Sequence, residues 1–160
     1  MLTRAELHDQ SKLESPEVEA FTEYTPKLKD CTYGSDEYKG YLEAIKPALD
    51  HHYANNRHHP EHWPEKESSE ADLLEKHLAT LDKEIQPELY AVLEDQIKSL
   101  RSSLNNMNLL DLVEMAADWL AASERHSDGN IRKSIKINSK RFDMGIQMIN
   151  IFENTIEVFK

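Results

Sequence analysis

Apolar residues recur at helical spacing along most of this chain, and no segment shows the strict alternation of a half-buried strand. Only 4 glycines and 6 prolines interrupt its 160 residues. The clearest apolar stripe consists of residues three or four apart: Tyr38, Leu42, Ile45 and Leu49. The next position of this stripe is His52, so we expect the His52 imidazole to face inward and His51 to point elsewhere. The sequence predicts an all-α fold.

Capping signals predict where two of the helices begin. A capping box that starts at Thr3 predicts a short first helix that carries His8 and Asp9. Ser35 is a suitable cap for a long helix that contains the apolar stripe and is strained locally at Pro47.

The stretch of residues 66–106 is highly charged and follows an irregular segment with two prolines. Within it, five apolar residues keep helical spacing: Leu89, Leu93, Ile97, Leu100 and Leu104. We predict a helix or helical hairpin inserted into the domain, with its second helix starting near Pro87. The hairpin can pack on the domain or on a second copy of the chain, so a homodimer through residues 66–106 is one of two open alternatives.

Length and composition limit the class of protein. The size suits one compact domain, so residues 1–160 are expected to form a single helical domain. The single cysteine and the absence of an apolar leader predict a reducing cytoplasm. A mean hydropathy of −0.71, with no apolar run near the roughly 20 residues of a membrane span, excludes a membrane protein. The formal charge of −11 disfavours general binding to nucleic acids.

One segment departs from this acidic character. The run "IRKSIKINSKR" at residues 131–141 carries five basic side chains and no acid: Arg132, Lys133, Lys136, Lys140 and Arg141. Such a run is either a solvated helix face or a place where an anionic ligand binds, and both interpretations stay open.

Histidine is concentrated in one short segment. "HHYANNRHHPEHW" at residues 51–63 holds five of the eight histidines. Imidazole is the commonest metal ligand, and with aspartate it suits Mn, Fe, Co, Ni or Zn better than the all-oxygen sites of calcium. The candidate ligands are His8, Asp9, His52, His58, His59 and Asp118. The density of histidines favours a divalent transition metal over a polar loop.

The segment "LLDLVEMAADWLAAS" is predicted to be a helix with an acidic face. This face consists of Asp111, Glu114 and Asp118, opposite an apolar stripe of Leu109, Val113, Ala116 and Leu120. Three acids on one face form either a solvated surface or a cation site. Asp118 lies between an alanine and a tryptophan, and a carboxylate in such surroundings needs a partner.

His8-Asp9-Gln10-Ser11-Lys12 resembles the HDxxK signature of the HD-domain metal-dependent phosphohydrolases, an all-helical superfamily. The histidines of residues 51–63 follow, and then "AADWLAA", which resembles the A-D-x-L-x-A segment bearing the superfamily's last metal ligand. "HDQSKLESPEVEAF", "HHYANNRHHPEHW" and "LLDLVEMAADWLAAS" also resemble an uncharacterised family seen in phages and bacteria. The resemblance covers most of the chain outside residues 65–106.

The resemblance implies a compact HD-domain-like helical bundle and a role for eleven side chains. The implied metal ligands are His8, Asp9 and Asp118, with His52 and His59 completing the site or binding a second metal. The implied catalytic groups are Lys12 for a phosphate oxygen and Glu114 or Glu61 for the attacking water. The implied substrate-binding residues are Arg57, Arg132 and Lys136.

The function implied by the resemblance is metal-dependent hydrolysis of a nucleotide or another small phosphoester by metal-activated water. One feature departs from the superfamily: its pattern begins with a histidine before the HD pair, and residues 1–7 contain none. Three alternatives stay open: the chain starts late relative to its relatives, His52 and His59 replace that ligand, or the site is degraded and binds metal poorly. The alternative function is a non-catalytic metal-binding or nucleotide-binding protein that uses residues 66–106 as a contact surface.

Overall fold

The computed structural model of the protein describes residues 2–32, 35–125 and 129–159. Within these ranges it contains helices and no strands, which confirms the predicted all-α class. The chain divides into two compact units, Met1–His62 and Trp63–Lys160. That residues 1–160 form one domain stays a prediction. Across the described ranges, no helix is both long enough and apolar enough to cross a membrane.

Among its described residues, the first unit contains four α-helices and two short 3₁₀ turns. The helices are α1 (Leu2–Leu7), α2 (Glu17–Asp30), α3 (Asp36–Ala44) and α4 (Lys46–Asn55). The 3₁₀ turns are Gln10–Leu13 and Pro60–His62. Helix α4 packs against α2 and against both turns. The C-terminal half of α4 and the loop after it therefore lie close to the segment that follows α1.

The prediction of one long helix after Ser35 is wrong, because the structure divides this segment into α3 and α4 at Ile45. Pro47 occupies the first turn of α4, where a missing backbone N–H breaks no helical hydrogen bond. Ser35 caps α3 as predicted, since its hydroxyl accepts the Tyr38 N–H at 3.1 Å. The inward position of His52 is confirmed, because this residue is only 3% exposed.

The prediction that the first helix carries His8 and Asp9 is wrong. Helix α1 ends at Leu7, and both residues lie in the turn that follows. Asp9 has a φ of 57° and a ψ of 20°, in the left-handed region that aspartate tolerates better than most residues. A residue in this conformation cannot continue a right-handed helix, so the chain changes direction at the HD pair.

The second unit contains five helices within its described residues. They are α5 (Ser69–Leu78), α6 (Pro87–Arg101), α7 (Leu109–Glu124), α8 (Ile131–Arg141) and α9 (Ile146–Ile156). Helices α5 and α6 pack against each other, and α6 begins at Pro87. That residues 66–106 are an insertion within one domain stays a prediction. The buried core of this unit consists of Leu104, Met107, Met115, Trp119, Ile135, Met144, Phe152 and Ile156.

The predicted orientation of α7 is wrong. Its buried residues are Asp111, Met115 and Trp119, whereas Leu109 is 74% and Val113 is 44% exposed. The tryptophan and the methionine belong to the apolar core of the unit. Asp111 is tolerated on this face because its carboxylate accepts a backbone N–H in the capping box at the start of the helix. The larger apolar side chains therefore decide which face is buried.

Candidate metal site

The HD turn and the histidine-rich segment meet in the first unit. One ligand atom from each of Asp9, His52, His58 and His59 lies within 4.8 Å of the others. Asp9 comes from the turn after α1, His52 from the last turn of α4, and the other two histidines from the loop after α4. Three imidazoles and one carboxylate form a donor set that suits divalent transition metals. This cluster can hold a metal ion.

The individual distances within the cluster are short. The Nε2 atom of His52 lies 2.9 Å from Nε2 of His59 and 3.5 Å from Oδ1 of Asp9. The Nε2 atom of His58 is also 3.5 Å from Oδ1 of Asp9. Bonds of about 2.0–2.2 Å to one cation place neighbouring ligand atoms roughly 3–4 Å apart. Two of these distances lie within this range, and the 2.9 Å distance between the imidazoles of His52 and His59 lies just below it.

The Oδ1 atom of Asp9 gives the strongest indication that the cluster binds a cation. It is buried and has no hydrogen-bond donor among the residues that the structure describes. A buried carboxylate oxygen without a donor costs free energy, because it has lost its water. A cation bound between this oxygen and the imidazoles restores that interaction, so the donor set fits a metal.

Lys12 lies beside the cluster, as predicted, and its ammonium donates to Asp9 Oδ2 at 2.5 Å. Burial raises the pKa of the Asp9 carboxyl, but the hydrogen bond and charge of Lys12, with smaller contributions from His8 and His52, outweigh burial and leave the pKa lowered. Asp9 is therefore a carboxylate at neutral pH, with one oxygen on Lys12 and the other toward the imidazoles. The contact of Lys12 with a phosphate oxygen stays a prediction.

Burial also controls the protonation of two histidines. It lowers the pKa of His59 to about 3, with the neighbouring His58 and His52 acting in the same direction. Burial also lowers the pKa of His52, and the positive charge of Lys12 lowers it further. The carboxylates of Asp9 and Glu17 act to raise this pKa but do not outweigh the other two effects. Both imidazoles are therefore neutral at pH 7, which is the form that binds metals.

His8 lies at the edge of the cluster. Its Nε2 is 3.3 Å from Asp9 Oδ2, and its ring centroid is 4.5 Å from that of His58. One ligand atom from each of these three residues lies within 4.8 Å of the others. The structure therefore places the predicted ligand His8 beside Asp9 and His58.

A carboxylate that the sequence analysis did not single out lies behind the cluster. Glu17 begins α2, and its side chain is fully buried. Its Oε1 is 2.7 Å from His51 Nδ1, and its Oε2 is 2.7 Å from His52 Nδ1. An acid in the first turn of a helix is common for its interaction with the helix dipole, so the pattern alone gave no signal for this role.

Two other predicted site residues, Arg57 and Glu61, belong to the histidine-rich segment at residues 51–63. Arg57 is exposed in the loop between α4 and His58. Glu61 is exposed in the 3₁₀ turn Pro60–His62. Their predicted roles in substrate binding and in activating water stay predictions.

Four of the predicted site residues belong to the second unit. Asp118 and Glu114 lie on α7 and are half-buried. Arg132 and Lys136 lie on α8 and are exposed, and Arg132 forms an ion pair with Glu157. The roles of Asp118 as a metal ligand, of Glu114 in activating water, and of the two basic residues in substrate binding stay predictions.

Comparison with known protein families shows one match. Residues 1–158 match the family described as "Family of unknown function (DUF5662)", and the chain belongs to this family. No curated protein and no solved structure matches the chain. The match extends over both units.

Proposed function

We propose that this member of the DUF5662 family is a metal-dependent phosphohydrolase whose metal is held by Asp9, His52, His58 and His59. The observation that supports the metal most strongly is Asp9 Oδ1, which is buried, has no donor within the described part of the chain, and lies 3.5 Å from two imidazole nitrogens. The donor set suits Mn, Fe, Co, Ni or Zn. Within this proposal, the protein acts in the cytoplasm on a nucleotide or another small phosphoester.

The charges of the cluster favour an anionic substrate. A divalent cation held there supplies a Lewis acid that activates water and offsets the charge of a phosphate. Neutral imidazoles add no charge, and the Lys12 ammonium offsets the carboxylate of Asp9. The buried carboxylate of Glu17 contacts the Nδ1 side of His52, away from the cluster. The positive charge of a bound cation is therefore only weakly opposed by its ligands.

The Lys12 ammonium has N–H donors available for a phosphate oxygen while it remains hydrogen-bonded to Asp9. An ammonium group has three N–H donors, and Asp9 Oδ2 uses one of them. A charge-assisted hydrogen bond to a phosphoester oxygen is consistent with the remaining donors. Lys12 therefore serves in the proposal as the link between a metal ligand and the substrate, and Arg57 adds a second cationic group from the same unit.

Hydrolysis is expected to depend strictly on the metal. Protein stripped by a chelator is assayed for release of inorganic phosphate from nucleotides and for cleavage of simple phosphomonoesters and phosphodiesters. We expect no turnover without metal, and turnover after addition of one of Mn²⁺, Co²⁺, Ni²⁺ or Zn²⁺, because a metal-activated water is available near neutral pH. Activity that survives complete removal of metal would contradict the proposal.

A second candidate function also stays a prediction. In it, the chain is a non-catalytic metal-binding or nucleotide-binding protein that uses residues 66–106 as its contact surface. The assay separates the two functions. Stoichiometric metal binding with no turnover on any of these phosphoesters would exclude the hydrolase on those substrates and favour the binding protein. The predicted homodimer through the same residues is also untested.

A further inference from the structure

Glu17 lies at the centre of a hydrogen-bond network that surrounds the Nδ1 side of His52. Its carboxylate is fully buried and contacts His52 through Oε2 and His51 through Oε1, each at 2.7 Å. Ser11 Oγ donates to the same Oε2 at 3.0 Å. Asn56 completes the network from the end of α4.

The protons of Asn56 and Ser11 are fully assigned by their distances. The Asn56 Nδ2 group has two N–H donors, and it lies 2.7 Å from Ser11 Oγ and 2.8 Å from the His52 carbonyl oxygen. These shorter contacts use both donors, so neither is left for His52 Nδ1 at 3.0 Å. The single hydroxyl proton of Ser11 goes to Glu17 Oε2, which is nearer than His52 Nδ1 at 3.4 Å.

This assignment fixes the tautomer of His52. A carboxylate only accepts hydrogen bonds, so its 2.7 Å contact with His52 Nδ1 requires a proton on that nitrogen. In the neutral imidazole the lone pair then resides on Nε2. That atom faces Asp9 Oδ1 and His59 Nε2, the other ligand atoms of the cluster.

We infer that Glu17 is a positioning residue that holds His52 in the Nδ1–H tautomer and directs the Nε2 lone pair toward the metal. The inference rests on the proposed metal centre, but the tautomer itself exists without metal. Carboxylates that accept the second N–H of a metal-binding histidine orient the ring and raise its basicity. His51 contacts the other oxygen of the carboxylate from a half-exposed position.

The tautomer is measured directly in the metal-free wild-type protein by long-range proton–nitrogen NMR of the ¹⁵N-labelled imidazoles. We expect His52 to show a protonated, pyrrole-type Nδ1 and an unprotonated, pyridine-type Nε2. A proton on Nε2 instead would overturn the inference, whether or not the protein binds metal. This readout does not depend on activity or on the stability of any variant.

Substitutions at Glu17 test whether the tautomer matters for the metal. Glu17→Met keeps a side chain of similar size but removes both acceptors, and we expect its affinity for Zn²⁺ to fall about 10- to 100-fold, as for other outer partners of metal ligands. Glu17→Gln keeps an oxygen where Ser11 and His52 both donate, so we expect affinity near that of wild type. His51→Ala is the matched control, because it removes the other partner of the same carboxylate and leaves His52 in place.

The outcomes separate this inference from the proposed function. Equal Zn²⁺ affinity in Glu17→Met and wild type would overturn the inference and leave the metal centre intact. A wild-type protein that binds no metal would overturn the proposed function, and with it the role of Glu17 toward a metal, even if NMR shows the expected tautomer. If Glu17→Met does not fold, the NMR measurement on the wild-type protein remains the test of the inference.

Discussion

Asp9→Asn is expected to weaken metal binding more than about 100-fold, beyond the range typical of outer-shell substitutions. Asp9 supplies the only carboxylate of the four-residue cluster, and its buried Oδ1 has no donor among residues 2–32, 35–125 and 129–159. Asparagine keeps the shape of the side chain but removes the charge that attracts the cation. Titration of the metal-free protein with Zn²⁺ against a chromophoric chelator measures the loss. We expect this variant to lose hydrolysis together with metal binding.

Asp50→Asn is the matched control for this substitution. Asp50 is also paired with a lysine, because Lys46 Nζ lies 2.8 Å from its Oδ2, but the pair is exposed on α4. We expect Asp50→Asn to bind metal as wild type does. Equal losses in the two variants, or an unchanged affinity in Asp9→Asn, would contradict a metal centre at Asp9.

The metal-free protein is expected to lose stability as the pH falls below about 6.5, the pKa of histidine in an unfolded chain. Burial holds the pKa of folded His59 at about 3 and also lowers that of His52. Between the folded and unfolded values the unfolded chain binds more protons, so stability rises with pH through this window and levels off above it. The lowered pKa of Asp9 acts in the same direction only below its unfolded value of 3.8.

Thermal unfolding of the metal-free protein at a series of pH values measures this effect. For His59 alone we expect the Tm to fall on the order of 10 °C between about pH 7 and about pH 4. His59→Gln removes the largest of these shifts, so its Tm is expected to depend less on pH. A Tm of the wild type that stays constant or rises as the pH falls through this window would contradict a neutral, half-buried His59.

The position of His52 was predictable because helical periodicity continues through the break between α3 and α4. Ile45 and His52 are seven residues apart, which is close to two helical turns, and both are buried. The choice between His58 and His59 was not predictable in this way. Both belong to an irregular loop, where spacing along the chain does not determine direction, and the structure places both in the cluster.

Asp9 and Glu17 show two further limits of sequence patterns. The HD pair was recognised, but its side-chain directions depend on the left-handed conformation of Asp9, which no periodicity reveals. The contact of Glu17 with His52 joins residues 35 positions apart in the chain. Such a contact depends on how α2 packs against α4, which local patterns do not specify.

The burial of α7 was mispredicted because helical spacing alone gives every apolar side chain the same weight. Val113 has a much smaller apolar side chain than Trp119, so the helix buries the face that carries the tryptophan. The acids on that face were then expected to be solvated or to bind a cation. Asp111 instead uses its carboxylate in a capping box.

The metal content of the purified protein, measured by plasma mass spectrometry, tests the proposed centre most directly. We expect about one equivalent of Mn, Fe, Co, Ni or Zn per chain, or uptake of one equivalent when such a metal is added to stripped protein. A protein that is purified without metal and takes up none of these ions would contradict a metal centre at Asp9, His52, His58 and His59.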